Sequence, residues 1–356
     1  MSFELRGVNF VNSVFNTAGA RNFFGASEIG GDWRQHKPLN AIPGYDWEGA
    51  TFVSKTTTLE PRQGNMPLRS DLQSEKFLPD CIYVDWRQGI VLNDVSLSGP
   101  GANFLLTRNI WQEMKRPLLI SFMAIGENAE GRLSETIKFC GLIKKRWYNN
   151  TRFGLEFNAS CPNAGHDPQS LIAEATKKLQ AARQILPEVP FLWKINALTS
   201  PWQAKEVIDA GCCDAISVSN TIPWLQNATW DNNPAVQINW TTLFGRDTIS
   251  PLKRRGFGNG GLSGWPLLDL VVKWVATARK IGITLPIKAE GGIQKKDDIR
   301  RLADAGANAI GLGCVSFLRP WRLKSLIDYG NSVMSGGNNQ TRAVANCNFS
   351  KALCQN

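Results

Sequence analysis

The chain is short of histidine: His36 and His166 are the only two in 356 residues, too few for a metal site of their own. Its eight cysteines (Cys81, Cys140, Cys161, Cys212, Cys213, Cys314, Cys347 and Cys354) show no C-x-x-C spacing, so neither a zinc site nor an iron–sulfur cluster is indicated. No metal is therefore expected. Long apolar runs are absent too, which argues against a membrane span. Met1-Ser2-Phe3-Glu4-Leu5-Arg6 lacks the basic-then-apolar profile of a secretory signal, and a cytoplasmic location is expected. The N-x-S/T triplets then read as coincidental. A G-x-G-x-x-G turn is also missing, which disfavours a doubly wound nucleotide-binding sheet. Acidic residues are the minority, 30 against 40 Lys and Arg, for a net charge of +10. The basic residues are nevertheless scattered. Their small clusters, Lys144-Lys145-Arg146 and Lys253-Arg254-Arg255, are not interleaved with aromatics as a single-strand platform would be. A solvated basic surface suited to an anionic cofactor and substrate is the economical reading, with no nucleic-acid partner.

What is present is a strand–helix alternation. With 43% hydrophobic residues, the chain can bury a large core. Short apolar runs at Val11–Phe15, Thr51–Thr56, Leu118–Met123, Phe153–Phe157, Phe191–Ile195, Ala215–Ser219, Pro286–Ala289 and Ala309–Leu312 read as parallel strands covered on both faces. Helical patterns lie between them at Arg132–Trp147, Gln169–Ile185, Trp202–Asp209, Pro266–Arg279 and Asp297–Ala305. Thr199-Ser200-Pro201 and Ser263-Gly264-Trp265-Pro266 look like helix starts. About eight such units predict an α/β fold of the (β/α)8 barrel type over residues 1–334, followed by a polar tail, 335–356. Phe3–Leu5 and Val8–Phe10 around Gly7 predict a hairpin closing the barrel's bottom. Two long excursions, Leu59 to Lys115 and Pro223 to Gly260, follow strands and so belong to the C-terminal face, where barrel active sites are built. Cys212-Cys213 falls at a helix-to-strand junction and reads as packing. His36 reads as surface, and His166 as lining a loop near the thiol motif described next.

The run Phe153-Gly154-Leu155-Glu156-Phe157 ends at Asn158-Ala159-Ser160-Cys161-Pro162-Asn163. Pro162 stops the strand, and two amides bracket a thiol. An amide both donates and accepts, so Asn158 and Asn163 suit a planar ligand with alternating C=O and N–H groups. Cys161 then stands beside that ligand as a base or nucleophile. The segment resembles the N-x-S-C-P-N signature of the soluble (class 1) dihydroorotate dehydrogenases, in which the cysteine is the catalytic base and FMN the electron sink.

The resemblance continues along the chain. Asn16-Thr17-Ala18-Gly19 resembles the family's first flavin contact, with Thr17, Ala18 and Gly19 letting a flat ring approach. Lys55, in an apolar run, matches the lysine that bridges substrate and flavin, and is followed by Thr58-Leu59-Glu60-Pro61-Arg62-Gln63-Gly64-Asn65, similar to the family's T-L-x-x-R-x-G-N. Asn93 opens a stretch similar to N-x-x-G-L-x-x-x-G, except that Ser96 replaces the glycine. Lys194 matches the lysine placed near flavin N1 and O2. Asn220-Thr221 resembles the last substrate-binding pair. Three Gly-rich strand ends, Gly260–Gly264 opening a helix, Glu290-Gly291-Gly292-Ile293, and Gly311-Leu312-Gly313-Cys314, suit a phosphate held by backbone N–H groups. They place Gly261, Gly264, Gly291, Gly292, Gly313 and Cys314 at the cofactor. Cys314 stands where the family has threonine or serine, and a thiol is a weaker donor.

The resemblance implies FMN-dependent oxidation of dihydroorotate to orotate in pyrimidine biosynthesis, by a homodimer acting on a small pyrimidine. Related readings stay open. One is another flavin-dependent pyrimidine enzyme, a dihydropyrimidine-type reductase or a dihydrouridine synthase. The other is a flavin-binding barrel without catalysis.

Overall fold

The computed structural model describes residues 3–147, 152–159 and 174–334. Two three-residue strands, β1 (Phe3–Leu5) and β2 (Val8–Phe10), open the chain as an antiparallel hairpin. Gly7 turns it at φ +71°, a conformation that L side chains seldom adopt. Phe3 and Phe10 pack with Phe15 at ring-centroid distances of 5.6–6.3 Å. The same cluster holds Val53, Leu119, Leu192, Ala215 and Ala309, each from the start of a different barrel strand. The hairpin therefore plugs the N-terminal end of the barrel, as its sequence predicts.

The remaining strands are β3 (Val14–Asn16), β4 (Ile82–Asp85), β5 (Ile90–Asn93), β6 (Leu118–Phe122), β7 (Phe153–Asn158), β8 (Phe191–Ile195), β9 (Ala215–Val218), β10 (Ile222–Pro223), β11 (Gly261–Gly264), β12 (Ile287–Glu290) and β13 (Ala309–Leu312). Seven of them form a parallel sheet in the order β3-β13-β12-β9-β8-β7-β6. Residues 51–57 fill the gap between β3 and β6 through single bridges, Thr51 to Phe15, Val53 to Leu119 and Thr57 to Phe122. The ring is thereby closed as a (β/α)8 barrel. Side chains stand in for part of the ladder in this eighth position. The Asn16 amide donates to the Val53 carbonyl (2.7 Å) and accepts from the Val53 N–H (2.9 Å), and Ser54 Oγ accepts from the Ser121 N–H. That is why the predicted strand Thr51–Thr56 is present as bridges only.

The helices cover the outside. Residues 268–280 bury Leu268, Leu270, Val271, Trp274, Val275 and Ala278, an i, i+3, i+4 stripe facing the sheet. Each large apolar side chain buried there contributes on the order of 1.5–3 kcal/mol. Ser200 caps residues 201–209 in a reciprocal box with Gln203, as its sequence suggests. Helix 129–146 starts three residues earlier than predicted because Asn128 supplies the cap. Cys212 and Cys213 are buried at the junction before β9.

Two readings need correction. The first barrel strand begins at Val14 rather than Val11, and Val11 is 55% exposed in the link from the hairpin. Gly261–Gly264 does not itself open a helix. It forms β11, pairs antiparallel with β5, and reaches the helix at Leu268 only through a 3-10 turn over Trp265–Leu267. This strand joins the two excursions, since β10-β11-β5-β4 make a second, antiparallel sheet. Gly264, at φ +120°, lacks a Cβ because one would lie 2.5 Å from the Gly89 carbonyl oxygen. A sheet contact, not a helix start, explains that glycine.

Candidate functional site

Inward and outward side chains alternate along a barrel strand, so charged residues two apart can share the interior. In β7, β8 and β12 this alternation puts Glu156, Lys194, Lys288 and Glu290 inside, each less than 4% exposed. Lys194 Nζ lies 2.9 Å from Glu290 Oε2 and 3.5 Å from Glu156 Oε1. Lys288 Nζ lies 2.6 Å from Glu156 Oε2 and 2.5 Å from Glu290 Oε1. Ser217 Oγ donates to Glu290 Oε1 at 2.9 Å. Burial alone would raise the Glu156 carboxyl, yet the two ammonium groups hold it down to about 2. Burial would likewise lower the Lys194 ammonium, but the two carboxylates outweigh it and raise its pKa. Both side chains are therefore charged, and the quartet of two acids and two bases is electroneutral.

Above this layer lie the predicted substrate groups. Asn158, the last residue of β7, sits opposite Lys194 in the β7–β8 register, and its Oδ1 accepts from Asn220 Nδ2 at 3.0 Å. Asn220 is fixed by its own N–H to the Ile195 carbonyl, and its side chain accepts from the Thr221 N–H. Thr221 leads straight into β10. Asn93 closes β5 directly opposite Gly261. The second sheet therefore ties Asn93, Thr221 and Gly261 to one small frame over the barrel mouth. Lys55 is 5% exposed; its Nζ donates to the Ser98 carbonyl at 2.5 Å and lies over the Phe23 ring. It thus anchors the 93–101 loop.

That loop is held a second time by the 58–65 stretch. Arg62 and Gly99 exchange backbone hydrogen bonds, Arg62 Nε donates to the Ser96 carbonyl, and Asn65 Nδ2 donates to the Asp94 carbonyl. A Cβ at Gly64 would collide with Ser98 Oγ and the Val95 carbonyl. Ser96, which replaces a glycine of the motif, nevertheless takes φ +55°, and Leu97 takes +59°. The backbone keeps a left-handed bend that glycine would adopt freely.

The residues predicted for the phosphate end converge as well. Thr17 N–H donates to the Leu312 carbonyl, and a Cβ on Gly313 would lie 2.7 Å from Thr17 Oγ1. Gly19, at φ +92°, has open space where a Cβ would stand. Ala18 lies between these two. Gly291 (φ +96°) packs on Leu267, and a Cβ on Gly292 would lie 2.5 Å from the Leu268 backbone nitrogen. The glycine turn after β12 thus seats on the first turn of helix 268–280, which has no side-chain cap. Cys314 is half-buried after β13, and desolvation pushes its thiol up to about 12, so the group is neutral.

Comparison with known proteins fits this geometry. The sequence profile of dihydroorotate dehydrogenase matches residues 2–334. The chain belongs to the dihydroorotate dehydrogenase family. A catalytic subunit of dihydroorotate dehydrogenase B (NAD(+)) from Staphylococcus carnosus is 25% identical, over 92% of this chain and 90% of its own. Its counterpart from Anoxybacillus flavithermus is 24% identical, over 92% and 88%. A crystal structure of DHODH from Eimeria tenella, in complex with ferulenol, shares the fold at a TM-score of 0.62 and 19% identity, covering 92% of this chain and 82% of that one.

Dihydroorotate dehydrogenases are flavin oxidoreductases that bind FMN, and the residues present fit that group. Gly19 has open space beside its backbone, and glycine is required at 292 and 313, where a Cβ would lie 2.5 Å from the Leu268 nitrogen and 2.7 Å from Thr17 Oγ1. Asn196, two residues beyond Lys194 and fully buried, has an amide nitrogen without an acceptor among the described residues. No group of three or more His, Cys, Asp or Glu able to hold a metal occurs among the described residues. No helix among them is long and apolar enough to cross a membrane.

Cys161 and Asn163 lie outside the described residues, as does His166. His36 is not the surface residue expected. It is half-buried, stacks on Phe317 at 6.0 Å, and desolvation lowers its pKa to about 4. Glu156, Lys288 and Glu290 were missed as site residues. Their signal is a charge at alternate positions of apolar strands, the feature that marks Lys55 and Lys194.

Proposed function

We propose that this chain oxidises dihydroorotate to orotate, as a class 1 type enzyme with Cys161 as general base. The observation that carries the reading is the Asn158–Asn220 amide pair at the end of β7 and just beyond β9, with buried Lys194 opposite Asn158 in the register. Thr17–Gly19, Lys194, Gly291, Gly292, Gly313 and Cys314 would hold FMN, with Gly261 bordering it. When bound, FMN supplies the hydride acceptor that side chains cannot provide. The chain's own groups do the rest. Cys161 takes the proton from C5 of the substrate, and a free thiol's value near ~8.5 leaves some thiolate at neutral pH. The amides of Asn158, Asn163 and Asn220, with Asn93 and Thr221, pair with the ring's carbonyl and N–H groups. Lys55 binds the substrate's carboxylate. A homodimer without nucleic-acid or membrane partners completes the proposal, and light scattering at twice the chain mass would be its signature.

Anaerobic mixing with dihydroorotate tests this directly. The purified protein should be yellow, release FMN on denaturation, and bleach with dihydroorotate but not with dihydrouracil. Cys161→Ala should slow bleaching by about 10²- to 10⁴-fold while orotate still binds, the usual loss for a general base. Wild-type bleaching rates in that variant across pH 6 to 9 would refute the assignment.

A further inference from the structure

The buried quartet carries an inference about Lys194 that the family resemblance does not contain. Glu290 is the hub: its carboxylate meets Lys194, Lys288 and Ser217 together. Room for it is built into the neighbouring strand, since a Cβ on Gly311 would lie 2.6 Å from Glu290 Cγ. Lys288 in turn spans Glu290 and Glu156 and lies over the Phe15 ring. Lys194 shares a register position with Asn158, and Glu290 directly precedes the Gly291-Gly292 turn. The quartet therefore touches both the substrate end and the phosphate end of the site.

We infer that Glu290 is a positioning residue that fixes Lys194, and that with Lys288 it cancels the net charge beneath the flavin, holding the flavin's reduction potential below the value an unpaired lysine would give. The inference rests on the proposed FMN site. A fixed charge in a water-poor interior acts strongly on charge that develops nearby, so one uncompensated unit in this layer is felt when the flavin gains electrons. Two opposite perturbations separate charge from mere scaffolding. Glu290→Gln leaves the layer at +1 and favours the anionic reduced flavin. Lys288→Met leaves it at −1 and disfavours it. The double variant Lys288→Met/Glu290→Gln retains the balanced Glu156–Lys194 pair.

The experiment is spectroelectrochemical titration of the FMN-loaded full chain at pH 7. In Glu290→Gln the reduced-to-oxidised ratio at fixed poise should rise about tenfold, ~30 mV for a two-electron couple. In Lys288→Met it should fall by a similar factor, and in the double variant it should return to within about threefold of wild type. Glu290→Asp keeps the charge and the hydrogen-bonding type but draws the carboxylate back from Lys194, and should give a smaller rise of the same sign. It carries the test if either other single variant fails to fold. Loaded Glu290 and Lys288 variants whose potentials equal that of wild type, or a Glu290→Gln and a Lys288→Met that shift in the same direction, would overturn the inference while leaving the FMN reading intact. A chain that takes up no FMN would overturn both.

Discussion

Lys288→Met should be among the most destabilising single substitutions in the barrel. The ammonium is fully buried and touches Glu156 Oε2 at 2.6 Å and Glu290 Oε1 at 2.5 Å. Its removal leaves two interior carboxylates sharing Lys194, at 3.5 and 2.9 Å. Breaking a buried ion pair by removing one partner typically costs 3–5 kcal/mol, because a desolvated charge is left uncompensated. Against a total stability of about 5–15 kcal/mol for a folded domain, that is a large fraction. The double variant Lys288→Met/Glu290→Gln removes the unmatched acid and should recover at least half the loss, since matched removal is often close to neutral. A second signature comes from pH. The orphaned acid in Lys288→Met can escape its predicament by taking up a proton, so the deficit relative to wild type should shrink between pH 8 and pH 5. Urea unfolding followed by tryptophan fluorescence, for wild type, both single variants and the double at these two pH values, supplies every quantity needed. If Lys288→Met costs less than about 1 kcal/mol at pH 8, or if the two single effects simply add, the quartet is not a coupled electrostatic unit.

The other predictions concern acid stability and one strained turn. Glu156 is held at about 2 against an ordinary 4.5, so its stabilisation is fully present above pH 4.5 and is lost as pH falls from there towards 2. The contribution is on the order of 3 kcal/mol, and urea midpoints between pH 6 and 3 should fall more steeply in wild type than in Glu156→Gln. Ser96 sits at φ +55°, where a β-branched residue is badly accommodated. Ser96→Gly should therefore leave stability unchanged or raise it by up to about 1 kcal/mol, the lost Ser96 Oγ–Asp94 hydrogen bond offsetting part of the relief. Ser96→Val should lower it by about 1–2 kcal/mol and weaken orotate binding through Asn93, as isothermal titration would read.

How far the sequence led can be seen at individual strands. β8 and β13 coincide with the predicted runs because Phe191–Ile195, Lys194 apart, and Ala309–Leu312 are apolar on both faces, as strands between a filled barrel and its helices tend to be. The eighth position, residues 51–57, was legible as a run, but its sparse pairing was not, because it depends on where the Asn16 and Ser54 side chains point. β4, β5, β10 and β11 were hidden for another reason. β4 and β5 form a local hairpin inside a long excursion, β10 and β11 join it only across long sequence separations, and Gly261-Leu262-Ser263-Gly264 carries the mark of a phosphate turn, not of a strand.

The site repeats this division at the level of charges. Lys55 and Lys194 stood out because a lysine in an apolar strand demands an anion, and the expected anion was a ligand. For Lys194 the structure supplies protein carboxylates as well, from β7 and β12, which no local pattern could have paired with it. Lys288 and Glu290 satisfy the same physical rule, but their neighbours Gly291 and Gly292 drew the reading towards phosphate. A buried charge thus announces that it has a counter-charge without saying where. Only the register that sets β7 beside β8, and β9 beside β12, brings the four groups together. Lys194 is therefore not an isolated cation awaiting a flavin but one corner of a balanced interior layer. Its effect on a bound cofactor depends on what Glu290 and Lys288 leave uncancelled.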